Sequence, residues 1–326
     1  MELTRRFFLG AAMAAAALLA TGVQAEGYPS KPVSIVVSYP PGGDVDAIAR
    51  LFADKLTGRL GQPVIVENRP GAAGTIGNSY VSRAEPDGHT LLFTPNTFTT
   101  APLVMALPKS SRYDVLNGFE PVILASKQSV LLVANPQSGI TSVADLVGQA
   151  RDGKRLSYAS PGAGSPMHIA AEWLNRAADI KVLHIPYRGI GPIIPDLLAG
   201  HVDLGYVVYG PAAQLIESGQ LVPVAVTDPE RSPVLPELAT VAEQGYDQVR
   251  LGAWHGLMAP KGTPDEVVTL LNQHMNEILQ LPEIAERLAS FGAVPVGGEP
   301  QALGAINAED HQRLSALIEE LDIRGS

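Results

Sequence analysis

The 326-residue chain has no cysteine, which excludes disulfides and thiol catalysis and leaves stability to an apolar core. Aromatic residues make up only 6% of it. Beyond the N-terminal segment, no stretch approaches the ~20 continuous apolar residues of a membrane-spanning helix. Basic charge is also short, with 23 Lys and Arg against 33 Asp and Glu and a formal net charge of −10. That balance argues against nucleic acid or an anionic membrane as partner. A small anion remains compatible with it, because backbone dipoles can hold one locally.

The N-terminus reads Met1-Glu-Leu-Thr-Arg5-Arg6-Phe-Phe-Leu-Gly10, runs through an alanine-rich stretch to Ala20 and reaches Val23-Gln24-Ala25. This is the pattern of an export signal with a small-residue cleavage site after Ala25. The paired arginines followed by Phe8-Leu9 fit the twin-arginine type, with an ordinary secretory signal as the alternative. A retained anchor would hold weakly, since the apolar stretch is short and mostly alanine. Removing residues 1–25 takes away Glu2, Arg5 and Arg6, leaving 21 basic and 32 acidic residues and a charge of −11. About 300 mature residues exceed the usual limit for one core, so two domains are expected in a soluble, extracytoplasmic protein.

The rest of the chain is organised around Ser34-Ile-Val-Val-Ser-Tyr-Pro-Pro-Gly-Gly-Asp-Val-Asp-Ala-Ile-Ala-Arg50. Val33 to Val37 reads as a buried strand, and from Asp44 the apolar residues Ile48, Leu51, Phe52 and Leu56 switch to helical spacing. Between them, the prolines and glycines of residues 40–43 leave a helix N-terminus whose first N–H groups have no intrahelical partner. Locally the stretch is equally compatible with a tight βα turn that binds nothing. The theme recurs, however, at Val64 to Glu67 followed by Gly71-Ala72-Ala73-Gly74. It recurs again at Leu156 to Ser160 followed by Pro161-Gly162-Ala163-Gly164-Ser165-Pro166, where Ser165 as N-cap and Pro166 at the first helical position mark a helix through Ala178.

Further strands are expected at Thr90–Phe93, Pro121–Ala125, Val130–Ala134, His184–Tyr187, Val202–Val208, Val222–Val226 and Leu251–Ala259. Residues 94–121 hold the four prolines Pro95, Pro102, Pro108 and Pro121 without clear periodicity, and read as irregular surface structure with one short helix. Beyond Pro264 the pattern is wholly helical, in three helices with no strand of their own. The pattern predicts an α/β protein with a discontinuous first domain, residues 27–125 plus 248–326, and an inserted second domain, 126–247. Each brings glycine loops and helix N-termini to the cleft between them, an arrangement suited to a carboxylate.

Enzyme readings fare less well. Ser165 and His168 are close enough in sequence for a nucleophile and base, but an N-cap serine commits its hydroxyl to the backbone, and no Gly-x-Ser-x-Gly elbow is present. His184, His201, His255, His274 and His311 show no metal-like spacing, and the glycine loops lack the Lys-Ser/Thr of a nucleotide-binding P-loop. No metal and no cofactor are therefore expected. Trp254, on a short apolar strand, reads as core. Asp46 is awkward beside an anion, and serves either its own helix start or a ligand hydroxyl, amine or water.

Taken together, several motifs resemble the Bug/TctC family of extracytoplasmic solute receptors. They are Tyr39-Pro-Pro-Gly-Gly43 with Asp46, Val66-Glu-Asn-Arg-Pro-Gly-Ala-Ala-Gly74, Pro86-Asp-Gly-His-Thr-Leu-Leu92, Tyr158-Ala-Ser-Pro-Gly-Ala-Gly164 with His168, Ile185-Pro-Tyr-Arg-Gly189 and Ala259-Pro-Lys-Gly-Thr-Pro264. The resemblance spans nearly the whole mature chain. It implies a two-domain periplasmic-binding-protein fold, type II-like and of the Venus flytrap kind, that closes on a small carboxylate. The expected partners are the membrane permease subunits of a tripartite tricarboxylate transporter, with the receptor itself a monomer; a sensing role toward a signalling partner is the alternative. The ligand-binding set it implies is Tyr39, Pro41, Gly42, Gly43 and Asp46 in the first loop and Ala72, Ala73 and Gly74 in the second. Ser160, Gly162, Gly164, Ser165 and His168 come from the inserted domain, with Tyr187 and Tyr209. Two departures from the family pattern are expected to reshape the cleft rim and pocket: the insertion in Leu107-Pro-Lys-Ser-Ser-Arg-Tyr-Asp114, and Gly205-Tyr206-Val-Val-Tyr209.

Overall fold

The computed structural model describes residues 27–324. The expected export signal lies outside them, and among the described residues no helix is long and apolar enough to cross a membrane. The first strand, β1 (Val33–Val37), is β-branched at four of its five positions and almost wholly buried, as a strand covered on both faces requires. Parallel to it lie β2 (Val64–Asn68) and β3 (Thr90–Pro95). Two antiparallel strands, β4 (Phe119–Gln128) and β10 (Ala253–Pro260), complete the centre of a six-stranded sheet of order β11-β4-β10-β3-β1-β2. The short edge strand β11 (Ala293–Pro295) corrects the expectation of a strandless C-terminal block. Three residues are too few to carry a period that sequence alone could reveal.

Helix α1 (Asp44–Leu60) covers one face, with Ile48, Phe52 and Leu56 sealed against the sheet. The other face is packed by α2 (Thr75–Val81), α3 (Thr97–Val104) and the long α10 (Pro300–Glu320) around Phe98, Phe119, Trp254 and Leu303. Trp254 is core, as expected, and its indole N–H donates to Asp310 on α10 at 2.8 Å. The segment 97–104 is a helix buried along most of its length, which corrects the surface reading of that region. Its threonines Thr97, Thr99 and Thr100 are buried with Phe98 and Ala101, so no exposed polar side marks a period, with α10 on one side and the second lobe on another.

The second lobe is a five-stranded sheet of order β7-β6-β8-β5-β9, built from β5 (Val130–Ala134), β6 (Ser157–Ser160), β7 (Leu183–Pro186), β8 (Leu204–Val208) and β9 (Val222–Val226). Strands β6, β7 and β8 run parallel, with β5 antiparallel to β8 and β9. Helices α4 (Val143–Arg151), α5 (Pro166–Ala178), α6 (Ile193–Leu198) and α7 (Tyr209–Glu217) flank it, while α8 (Asp265–Leu279) and α9 (Pro282–Ser290) belong to the first lobe's core. The end of α10 contributes Leu314, Leu317 and Ile318 to the second core, joined by Ile323 just beyond it, so the C-terminal helix spans both lobes.

The chain passes between sheets twice. Only Ser129 separates β4 from β5, and the return runs through Thr227 to Gly252. These crossings are tied side by side: Thr227 N–H donates to Val130 O at 2.9 Å, Leu251 N–H to Thr227 O, and Val130 N–H to the Asp228 carboxylate at 3.0 Å. A pair of short, mutually bonded crossings between two rigid sheets is the geometry of a hinge.

Candidate functional site

The carboxyl ends of β1 and β6 face each other across the lobes, and a cavity of about 540 Å³ lies between them. Residues 38–40, 70–74 and Met105 line it from the first lobe, and residues 161–163 and 186–189 from the second. Loop after strand is where parallel sheets collect ligands, because helix N-termini converge there.

On the first lobe, Gly43 occupies the N-cap of α1, and no side chain caps the helix there. Asp46 does not face the cleft. It is only 3% exposed, and its carboxylate accepts from Gly42 N–H (2.9 Å), Arg50 Nε (3.0 Å) and Asn68 Nδ2 (2.8 Å). Burial pushes its pKa up, but those three donors outweigh burial and hold it below the usual carboxylate value. Of the two sequence roles for Asp46, the structure displays the one that organises the loop. Tyr39 lines the cavity, and burial pushes its phenol up to about 12, so it is a neutral hydroxyl at physiological pH. Pro41, Gly42 and Gly43 carry the turn behind it and do not themselves line the cavity.

Ala72, Ala73 and Gly74 line the wall opposite. Ala72 and Ala73 both have positive φ, 47° and 51°, a conformation that costs an L-residue on the order of 1 kcal/mol. Such strain concentrates where a loop must present its backbone in a set way.

On the second lobe, Gly162 and Tyr187 line the cavity, and the Tyr187 hydroxyl donates to Asp196 at 2.6 Å. Ser160, Gly164, Ser165 and His168 lie beneath this surface. Ser165 caps α5 by accepting from His168 N–H at 3.2 Å, and its hydroxyl donates to Gly162 O at 2.8 Å. The His168 ring accepts from Gly164 N–H at 3.2 Å and stacks 4.1 Å from His184, whose Nε2 is 2.7 Å from Ser160 Oγ. Ser165 and His168 are thus both committed to holding the loop, which leaves neither placed as nucleophile or base. Tyr209 stands outside the cavity, on α7 with its hydroxyl directed at Glu217. Tyr206 is buried in the second core against Tyr158, and the insertion at 107–114 packs on α2, where Ser79 Oγ donates to Ser110 O. The insertion therefore does not line the cavity, and of the second departure only Val208 borders cleft space, in a smaller chamber behind Tyr39.

Sequence reasoning passed over Arg188. It lines the cleft, is exposed, and makes no ion pair among the described residues. It follows Tyr187 directly, and a lone arginine beside a glycine in a strand-end loop was its available signal. No cluster of three or more His, Asp or Glu able to hold a metal occurs among the described residues.

Two lobes joined by a double crossing, with glycine loops facing over a cleft, define a solute-binding protein of the periplasmic type. The comparisons specify which kind. The family described as "Tripartite tricarboxylate transporter family receptor" (TctC) matches residues 48–323, and the chain belongs to that family. Protein BugT of Bordetella pertussis is 35% identical over 324 residues, 98% of each chain. Among solved structures, R. palustris Rpa4515 with adipate is 32% identical at a TM-score of 0.85, covering 91% of this chain and 99% of that one. MatC from Rhodopseudomonas palustris with bound malate is 30% identical at a TM-score of 0.81, covering 89% and 100%.

Proposed function

We propose that this protein captures a small carboxylated metabolite in its interlobe cleft, closes on it by hinge motion and delivers it to the permease subunits of a tripartite tricarboxylate transporter. It works in the periplasm as a monomer after signal cleavage, and it performs no chemistry. The observation that carries this reading is the 540 Å³ cleft, in which Tyr39, the backbone of Ala72 to Gly74 and the Gly162 loop meet Arg188. Loop backbone N–H groups and one guanidinium offer a carboxylate donors and positive charge, while the buried Asp46 carboxylate behind the loop is already paired. The adipate and malate held by the two similar structures are of the same chemical class.

A thermal-shift screen with mono-, di- and tricarboxylates tests it. A ligand at 100 times its dissociation constant adds about 2.7 kcal/mol and raises the melting temperature accordingly. Stabilisation by a non-carboxylate class with none from any carboxylate would overturn the assignment.

A further inference from the structure

Behind Tyr39 the cleft continues into a smaller chamber of about 50 Å³. Tyr39, Pro161 and Gly189 border both spaces, so the two form one continuous cleft. A volume of that size holds a few non-hydrogen atoms. Two side chains in its wall have polar atoms without a partner. Asn96, wholly buried at the start of α3, donates its Nδ2 to Gly252 O at 3.1 Å, which leaves Oδ1 unbonded. His255, wholly buried on β10, has Nδ1 3.0 Å from Ser126 Oγ and Nε2 unbonded. Asp44, in the first turn of α1, lines the same chamber and acts electrostatically on His255.

We infer that this chamber is a specificity subsite for a hydrogen-bond-donating substituent of the ligand, a hydroxyl or ammonium group near its carboxylate. The inference rests on the carboxylate reading above. Its ground is the chemistry of the two unpartnered atoms. The Asn96 amide is oriented by its bond to Gly252, so its free atom can only accept. The imidazole adapts: if Ser126 donates to Nδ1, Nε2 carries the proton, and if Ser126 accepts, Nε2 is an acceptor. Burial lowers the pKa of His255 and keeps the ring neutral, so no fixed cation answers the Asn96 oxygen. The pair therefore asks for at least one donor, and Asp44 adds negative potential that favours one further. A second carboxylate in this space would set like charge against Asp44 and leave Asn96 Oδ1 unsatisfied. A buried acceptor left without a partner penalises the analogue that cannot fill it, which makes such sites discriminating.

Calorimetric titration of the purified protein with matched acids is the test: propionate against lactate and alanine, and succinate against malate and aspartate. The member bearing a donor is expected to bind about tenfold or more tightly than its unsubstituted partner, and the hydroxyl and ammonium arms show which donor is preferred. Asn96→Leu is expected to reduce that ratio to near one. If that variant does not fold, the wild-type ratios alone decide. Equal binding within both sets overturns this inference alone and leaves the carboxylate reading standing. No binding by any acid overturns both.

Discussion

Asp46 and Arg50 stand one helical turn apart on α1, joined by contacts of 3.0 Å to Nε and 2.9 Å to the terminal guanidinium nitrogen. The same carboxylate receives Gly42 and Asn68, so one buried group ties together the cleft loop, the helix and the end of β2. In Asp46→Asn the amide would turn a donor toward at least one of these donors. The expected loss is about 1–3 kcal/mol in urea unfolding, with ligand affinity falling because the loop loses its shape. Since the donors depress the carboxyl pKa, the stability it adds is present above its unfolded value of 3.8 and lost as pH falls through the lower folded value. An unchanged midpoint in the variant would remove Asp46 from this role.

The His168–His184 stack sets a second acid limit in a higher pH range. Burial pushes His168 down to about 3, with His184 beside it adding to the effect, and burial pushes His184 down to about 4. The unfolded chain binds both protons as pH falls through about 6.5, while the native state resists until near 4. Stability therefore declines from about pH 6.5 to about 4, by up to about 1.4 kcal/mol per pH unit for each ring. Urea midpoints at pH 7.5, 6 and 5 are expected to fall less steeply in His168→Gln than in the wild type. Parallel slopes would show that the stack does not carry the effect.

Among the described residues, Arg188 has no ion-pair or side-chain hydrogen-bond partner to lose. Arg188→Gln is expected to leave the melting temperature of the free protein unchanged and to weaken carboxylate binding about tenfold, or ~1.4 kcal/mol. The variant's affinity should also respond less to added salt, since an exposed charge acts through a screened field. Calorimetry at two ionic strengths distinguishes this from a general distortion of the cleft.

Most of the architecture was legible in the sequence because burial and period coincide there. Val33–Val37, Val64 onward and Val130–Ala134 are strands whose neighbours confirm the alternation of sheet and helix, and Ser165-Pro166 marks a helix start through local capping chemistry. One short helix was expected within 94–121, but its place at 97–104 and its burial were not legible, because a helix buried along most of its length shows no exposed polar face to mark a period. The glycine loops were found as loops, but a motif does not say which residue points into the cleft. Asp46, Ser165 and His168 turn inward to hold the backbone, while Arg188 lines the cavity, and Asn96 and His255 come together at the smaller chamber through a pairing between distant strands. That information lies in the register of β10 against β3, where His255 meets Pro95, and not in any short window.

Gly164 joins the two lobes directly. It has φ of +78°, and a β-carbon there would lie 2.9 Å from Ala101 Cα on α3; beside it, the Thr100 hydroxyl donates to the Gly164 carbonyl. The second lobe's glycine loop therefore rests on a first-lobe helix at a distance that only a glycine permits. Gly164→Ala would add about 1 kcal/mol of backbone strain and also force the loop away from α3. The expected result is a more open protein, seen as a larger radius of gyration in solution scattering, with ligand affinity reduced about tenfold because closure must now overcome the clash. Gly219→Ala is the control, since Gly219 has a similar φ of +72° but meets nothing within 4 Å. It carries the same backbone strain without the contact between lobes, so it should lower stability by a comparable amount and leave affinity and radius of gyration unchanged. Equal losses of affinity in both variants would show that strain alone, and not the seat of Gly164 on α3, governs closure.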